Sequence, residues 1–570
     1  MRRRSLNFFW DTSVPRDIII ISVLCIIAHR SALTAIWYMD DAMGIVHSPL
    51  VYNGEWMQAG MRSLTYFTYW LTYSLFGMEG WAFHMGNLII HLVFSLCVYR
   101  FARDFATISG KPPPKHFALF AGLLFAVHPL TIEVTHYARA RDHELVGIFS
   151  FLAAVFTLRL LKLGPRQLAP LVLILLLGAL SKEQGLIQGV LSVLIVLLCY
   201  SNSATLRKLT NKVPLRFLVY TIVAAGFSAV ILAPSTVVFW WHLVLRTLFN
   251  PDLPWHSLTQ CRVVWEYIFR MFFPWDLCPD HQIAKTISGS DIGAWFTALG
   301  CLVLLALVVL LFWKGKRRAS FILAMILAPM FLRFGYLIDT TLMVEYRTYP
   351  SMPWFAMGLS LILTSLPNPK FILRTLAAPL IILILILLSV RQGAFWNSRE
   401  TLVARILEIY PTQLRAFLEL NGYHLFINKP ELVLNRSQDF SERANQWIAF
   451  NSSQTSRTLV GLKYFTVLHN LNIADALLAV KGPDAAMAVM PLVGAEIRAT
   501  RFASSYPQGE WFLLMSKIED AKGNSEAASQ YRKLAQGYGG ILIGDIRILQ
   551  SEQEASPKKP SGHLENQTDD

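Results

Sequence analysis

Hydrophobic residues in this chain gather in long runs. They neither alternate, as in a strand, nor recur on one face, as in a surface helix. A membrane-crossing helix needs roughly 20 apolar residues. Runs near that length occur at about 17–38, 83–102, 117–135, 145–162, 168–180, 185–200, 216–240, 292–313, 319–338, 351–366 and 374–391. The pattern predicts an all-α polytopic membrane protein with a bundle of about eleven transmembrane helices. The stretch 168–200 carries basic residues at both ends, so one helix cannot place both ends on the same side. "GALSKEQG" in its middle offers a turn, which predicts a hairpin with its apex at Ser181, Lys182, Glu183, Gln184 and Gly185. The first arm, at 1.5 Å per residue, is about 20 Å long, against a hydrocarbon core of about 30 Å. Lys182 is therefore expected within the bilayer depth, facing a cavity.

After Phe395 the pattern changes. "SRETLVARILEIYPTQLRAFLELNGYHLF" places apolar residues at three- and four-residue spacing, as in packed amphipathic helices. "EWFLLMSKIEDAKGNSEAASQYRKLA" places Trp511, Leu514, Ala527 and Tyr531 at positions of a degenerate tetratricopeptide-like unit near 508–536. One such unit is too few for a solenoid. The organisation read from the pattern is a membrane domain over 1–395, a soluble helical domain over 396–550 and a polar, disordered tail over 551–570.

Composition agrees with a membrane chain. Of 570 residues, 54% are hydrophobic and 15% charged, against about 25% charged in soluble domains. The net charge of +14 does not indicate nucleic-acid binding, because Lys and Arg are scattered over short loops between apolar runs. The clusters are Arg2–Arg4; Arg100, Arg103, Lys111 and Lys115; Arg159, Lys162 and Arg166; Arg207, Lys208, Lys212 and Arg216; Lys314, Lys316, Arg317 and Arg318; and Lys370 and Arg374. With eleven crossings, all of them fall on one side, which the positive-inside rule makes cytoplasmic. The N-terminal segment has no small-residue cleavage site and reads as an uncleaved anchor. The far side, with the C-terminal domain, receives mixed charge: Asp40, Asp41, Arg139, Arg141, Asp142, His143, Glu144, Lys182, Glu183, Asp339, Glu345 and Arg347. Mixed charge at helix ends on one face marks a polar site opening there.

Those residue types suit transfer of a sugar from a lipid phosphate. The phosphate leaves as an anion, so cations must face it; Arg139, Arg141, Lys182 and Arg347 are the candidates. The acceptor hydroxyl must lose a proton to a carboxylate, and Asp40 or Asp41 supplies one. Two adjacent carboxylates repel, so one is expected to act as base while the other orients the acceptor. A divalent metal ion shared by the pair is the alternative; no other cofactor is implied. Tyr66, Phe67, Tyr69, Trp70, Tyr73 and Phe76, and the segment Arg262 to Leu277, suit interfacial helices that contact membrane lipids and guide a lipid carrier. Cys25, Cys97, Cys199 and Cys301 lie in apolar runs. Cys261 and Cys278 share one loop without zinc-ligand spacing, and a disulfide between them is open if that loop lies in an oxidising compartment.

The ordered set "DDAMGI", "RSLTYFTYWLTYSLFG", "FHMGNLIIHLVFSLCVY", "LFAVHPLTIEVTHYARARDHEL", "LSKEQG", "FPWDL" and "VEYRTYPSMP" resembles the transmembrane and tetratricopeptide-repeat O-mannosyltransferases and their bacterial relatives. These belong to the GT-C glycosyltransferase superfamily. The resemblance covers about residues 35–355. It implies a GT-C-like bundle, a polyprenyl-phosphate-linked sugar donor, inverting transfer and a catalytic acidic residue in the first outward loop. By position that residue is Asp40, with Asp41 its neighbour. His128, Glu133, Arg139, Arg141, Lys182, Glu183, Glu345, Arg347 and Tyr349 match recurring polar positions. "RARDHEL" stands where relatives often have a GR-D-L pattern, which leaves the sugar open. The expected acceptor is a protein, pilin-like among the choices, or a lipid-linked glycan. The short loops favour a bacterial inner membrane with the catalytic face and C-terminal domain in the periplasm. The rival class, a transporter or flippase, calls for charges at the midplane and repeated halves, and no half-to-half repeat is present.

Overall fold

The structure is a computed structural model and describes residues 13–109, 114, 116–201, 253–286, 288–335, 342–365, 371–450, 456–500 and 506–537. The apolar run 216–240, the cluster from Arg207 to Arg216, Asp339 and the tail 551–570 lie outside the described residues. Among the described residues there is no β-strand; one isolated bridge joins His281 and Met343. The fold is all-α. The chain divides into two compact units, Met1–Ile409 and Tyr410–Asp570. The division falls later than residue 395 because Arg399–Ile409 packs into the first unit. There Leu402 joins the core and Arg405 donates to the Trp275 carbonyl oxygen at 2.8 Å.

In unit 1, α1 (Ser13–Ala28) leads into turns that carry the acidic pair, then α2 (Ser63–Phe76) and the long α3 (Gly80–Ser109). The helices α4 (Phe117–Ala126), α5 (Ile132–His136), α6 (Arg141–Leu163), α7 (Leu168–Ser181) and α8 (Glu183–Tyr200) follow. After the undescribed stretch come α9 (Leu253–Phe272), α10 (Ile292–Trp313), α11 (Arg317–Phe331), α12 (Met352–Ser365), α13 (Phe371–Ala394) and α14 (Arg399–Ile409). Aromatic side chains of α3, α4, α6 and α12 form the centre of the core: Phe94 meets Phe125 at 4.8 Å and Phe151 at 5.4 Å, and Phe151 meets Trp354 at 4.9 Å.

Among the described residues, 5 helices are long and apolar enough to cross a membrane: Gly80–Phe105, Ala138–Leu163, Glu183–Tyr200, Ile292–Trp313 and Ala377–Asn397. A sixth crossing is available if the bent pair Phe117–Ala126 and Pro129–His136 counts as one. This is fewer than the eleven that the apolar runs suggest, for local reasons. The first run stops being α-helical at Ala28 and continues as a 3-10 turn, Arg30–Thr34. The run 168–200 breaks at Lys182, whose φ of −168° and ψ of 150° are extended. Pro329 lies near the end of α11, which is 15 residues long. α12 has 14 residues.

The run 117–135 is bent by 51°. "VHPL" explains it: proline disfavours helix in the residue before it and is at home at a helix start, and Pro129 begins a new turn. A break frees backbone carbonyls, which are costly where no water reaches. Here they are paired by side chains from other helices. Nε2 of His29 (3.1 Å) and Nε2 of His91 (3.2 Å) both meet the Ala126 carbonyl oxygen, and Ser389 Oγ donates to the Val127 oxygen at 2.8 Å. His128 accepts from the Leu130 N–H and donates to the Met271 carbonyl.

α7 and α8 pack on each other and on α6. Gly178 and Gly185 permit the approach: a Cβ on Gly185 would lie 2.0 Å from the Gly178 oxygen.

Unit 2 comprises α15 (Leu414–Phe426), α16 (Pro430–Asn435), α17 (Ser437–Phe450), α18 (Ser456–Lys481), α19 (Pro483–Ala499), α20 (Tyr506–Ala521) and α21 (Ser525–Gly537). Val467, Leu471, Met490, Val493, Leu514 and Ile518 form its core. α20 and α21 pack as a helix–turn–helix, with Gly523 at φ 84° in the turn. Trp511 donates to the Met490 carbonyl and contacts Tyr531 edge-on, and the buried small residues of α21 are Ala528 and Ala535.

Candidate functional site

The two adjacent acids of the first outward turn part company in the fold. Asp40 is exposed and Asp41 buried. Met39 before them has φ 44°, a left-handed conformation that is uncommon for a side-chain-bearing residue. It turns the chain so that Asp41 points inward. Asp41 Oδ2 accepts from the Tyr38 N–H at 3.0 Å and Oδ1 from the Arg139 N–H at 2.7 Å. Burial pushes its carboxyl up from 3.8 to about 7, with the two backbone hydrogen bonds and the Arg139 charge partly opposing it. Asp41 thus fastens the first loop to the start of the sixth helix. Asp40 remains at the lip, its N–H donating to the Tyr137 hydroxyl at 3.3 Å.

Arg139 is held next to them. Its guanidinium lies over the Tyr66 ring at 5.2 Å and against Gly44, where a Cβ would come within 2.7 Å of Nε. Its Nη1 is buried and has no hydrogen-bond partner. Arg141, two residues on, is placed differently. Nε donates to Asn87 (2.7 Å), Nη1 to the Thr68 carbonyl (3.1 Å) and Thr72 (3.2 Å), and Nη2 to the Phe83 carbonyl (2.6 Å). All three nitrogens have protein partners, so Arg141 braces α2 and α3 and is not arranged as a phosphate ligand.

Lys182 donates to Asp142 at 2.8 Å and to His143 Nε2 at 2.7 Å. Arg62 grips Glu183 with Nε at 3.1 Å and Nη2 at 2.6 Å, and lies 3.9 Å from Asp142. Lys182 and Arg62 are therefore balanced by Asp142 and Glu183. The loop 345–347 closes the group. The Tyr346 ring lies tilted against the His143 ring, 4.5 Å between centroids, and 6.0 Å from the Tyr137 ring. Its N–H donates to Glu133 Oε2 at 2.7 Å. Glu345 accepts from the Cys278 N–H and from His281, both at 2.7 Å. Arg347 donates to the Leu342 carbonyl at 3.2 Å.

A continuous chain of contacts thus runs from Asp40 through Tyr137, Tyr346 and His143 to Lys182. His128 and Tyr349 lie elsewhere. His128 ties the break to Met271, and the Tyr349 hydroxyl meets His91 Nδ1 at 2.8 Å within the core. The residues that sequence reasoning did not single out are Arg62, Tyr137, Tyr346 and Gly44. The Tyr137, Arg62 and Tyr346 hydrogen bonds to Asp40, Glu183 and Glu133 reach across 97, 121 and 213 residues, which no local spacing reveals.

One expectation is corrected. Cys261 and Cys278 are both free thiols. Cys261 faces Cys301 and Cys278 lies against Asp280, so no disulfide joins them. Each Asp41 oxygen accepts one backbone N–H, and Asp40 turns to solvent.

An all-α bundle with several helices apolar enough to cross a membrane agrees with the glycosyltransferase class that the motifs resemble. Comparison with known proteins finds the same resemblance. Over 190 residues, 30% of this chain, the sequence is 30% identical to a protein O-mannosyl-transferase of Caenorhabditis elegans. Over 131 residues, 22% of this chain, it is 34% identical to protein O-mannosyl-transferase TMTC3 of Mus musculus and 32% identical to that of Homo sapiens. The matched stretches span 26% of the first relative and 13% of the other two. No family model matches, and no solved structure matches with significance.

Proposed function

We propose that this chain is a membrane glycosyltransferase that moves a single sugar from a polyprenyl-phosphate donor to a hydroxyl of a protein on the outward face, with inversion. The observation that carries the reading is the Asp41–Arg139 hydrogen bond. It ties the backbone of Arg139, whose buried guanidinium has an unused N–H, to the residue that follows the exposed Asp40. Asp40 takes the proton from the acceptor hydroxyl. The hydroxyl oxygen bonds to the anomeric carbon, the bond from that carbon to the phosphate oxygen breaks, and polyprenyl phosphate departs as an anion. Arg139 meets that charge, where a preoriented cation in a dry site acts most strongly. Lys182 and Arg62, already balanced by carboxylates, set the field around it. Asp41 is a positioning residue.

The relatives' names make mannose the first sugar to test. The eleven-crossing GT-C bundle belongs to the proposal. In it the short apolar helices α1, α7, α11 and α12 add crossings to the longer ones; the apolar run 216–240, counted from sequence, lies outside the described residues. Placement in a bacterial inner membrane, with the lip and unit 2 in the periplasm, rests on the basic loops and short connections and is part of the same reading. The test is transfer from polyprenyl-phosphate mannose to a Ser/Thr-bearing protein by purified enzyme. Asp40→Asn is expected to lose about 10²–10⁴-fold in rate, and Arg139→Gln to lose a comparable factor. Undiminished transfer by Asp40→Asn sinks the assignment.

A further inference from the structure

The end of unit 1 remote from the lip carries a group of cations that sugar transfer does not use. α3 and α6 start together at the lip, where Arg141 donates to the Phe83 carbonyl, and each belongs to an apolar span of 26 residues. At 1.5 Å per residue they end about 39 Å away, beyond a hydrocarbon core of about 30 Å. There they meet the start of α11. Arg100 of α3 (3.4 Å) and Arg159 of α6 (3.6 Å) share the Asp104 carboxylate. Lys162, one turn past Arg159, is within electrostatic reach of Arg318 of α11. Arg103 and Arg317 lie over the Tyr99 and Phe312 rings at 5.9 and 5.7 Å. Phe321 packs against Phe105 at 6.4 Å and Tyr200 at 5.4 Å, which fixes the three ends together.

Charge does not balance at this end. Arg100, Arg103, Arg159, Lys162, Arg317 and Arg318 face one acidic residue of the same helix ends, Asp104. Asp17 of α1 touches the group only through the Tyr99 hydroxyl and is itself paired with Arg16. Like charges brought together from separate helices repel. The first turn of α11 adds to the excess: it holds no acidic residue, and Lys316 before it makes no side-chain cap bond. Arg317 and Arg318 therefore sit at the positive end of their own helix. The Tyr200 hydroxyl, within electrostatic reach of Arg318, has no hydrogen-bond partner among the described residues. An anion with several acceptor oxygens meets each of these needs. Leu163, Leu198 and Trp313 are exposed on the same helix ends, so apolar chains find a surface directly beside the charge. A membrane phospholipid joins both parts in one molecule.

We propose that the joined ends of α3, α6 and α11 bind the phosphate headgroup of an anionic phospholipid. The arginines and Lys162 donate to the phosphate oxygens, and the acyl chains run along Leu163, Leu198 and Trp313. The lipid offsets the repulsion between the three ends and holds them together. The inference rests on the bundle crossing a membrane and is independent of sugar transfer.

The test titrates full-length protein in neutral detergent with cardiolipin and, separately, with phosphatidylcholine, read by native mass spectrometry with no sugar donor present. Cardiolipin is expected to stay bound at concentrations where phosphatidylcholine does not, to raise the melting temperature and to bind more weakly as salt is added. Each cation removed should weaken it about fivefold. Lys162→Ala combined with Arg318→Ala should therefore cost about 25-fold, while Lys481→Ala in unit 2 changes nothing. Lys162 is exposed and Arg318 half-buried, so the double variant should fold, and its melting temperature without lipid checks that. The comparison of the two lipids on wild-type protein needs no variant. Equal retention of both lipids overturns the proposal, as does undiminished cardiolipin binding by the folded double variant. Displacement of cardiolipin by millimolar inorganic phosphate also overturns it, since the site would then take a free anion.

Discussion

Asp41 accepts two backbone hydrogen bonds in a buried position and titrates near 7, while Asp40, one residue earlier, faces solvent. The raised value has a signed consequence. Between 3.8 and about 7 the folded protein holds a proton that the unfolded chain has released. The stabilisation from that proton is complete below the lower value and is lost as pH rises through the upper one. Its ceiling, at 1.36 kcal/mol per unit, is about 4 kcal/mol. Wild-type protein in detergent is therefore expected to melt at lower temperature at pH 8 than at pH 5, and Asp41→Asn to show a smaller difference. Asp41→Asn also turns an amide N–H toward a backbone N–H, at a cost of about 1–3 kcal/mol at any pH. Gly44 supplies a second residue-scale test. The Cβ of Gly44→Ala would meet the Arg139 side chain at 2.7 Å and push it off Tyr66. Transfer should fall about tenfold or more with little change in melting temperature, and a rate equal to wild type would show that the position of Arg139 does not matter.

At the scale of elements, the α7–α8 contact and the Arg62–Glu183 pair place the cation group. A Cβ on Gly185 runs into the Gly178 backbone oxygen, which cannot swing aside as a side-chain end does. Gly185→Ala should cost about 3 kcal/mol, read as lower yield and lower melting temperature. Gly164, in open space with φ 89°, is the contrast: Gly164→Ala should cost about 1 kcal/mol through backbone strain alone. Arg62 and Glu183 share a partly buried bidentate pair. A double-mutant cycle should return a coupling of about 1–3 kcal/mol, and additive single effects would remove the pair from the argument. Much of this level was legible in advance. The helices α3, α6, α8 and α10 announce themselves as long apolar runs, and "LSKEQG" predicts the break that Lys182 makes. The bend at Ala126 was hidden in an unbroken run of apolar letters, although Pro129 marks it once the run is read for proline as well as hydropathy. Arg62 carried no signal, because its partner arrives from another helix.

For the molecule as a whole, the basic loops and the mixed-charge lip should face opposite sides of the membrane. Met43, at 59% exposure, belongs to the lip, and Lys316 to a basic loop. A membrane-impermeant maleimide should label Met43→Cys in intact cells and Lys316→Cys only after lysis; labelling of both from one side would refute the arrangement. The six native cysteines are buried or half-buried, so background should be low. At this scale sequence reading gave the helical class and the gathering of acid and base groups from separate loops. Its eleven apolar runs exceed the five or six described helices long enough to cross alone, because hydropathy cannot distinguish a helix from an apolar turn such as Arg30–Thr34.

The bend in the fourth helix has a consequence for how damage spreads. Its carbonyls are held by groups from α1, α3 and α13, one of them Ser389, which is 262 residues away along the chain. Losing any of these grips leaves a carbonyl unpaired at the break that Pro129 fixes, and is expected to loosen the segment that holds Tyr137 and Arg139 beside the acidic pair. Mutations that impair such a protein are therefore to be sought deep in the bilayer as well as around the cleft, and Ser389→Ala is the least conspicuous place to begin.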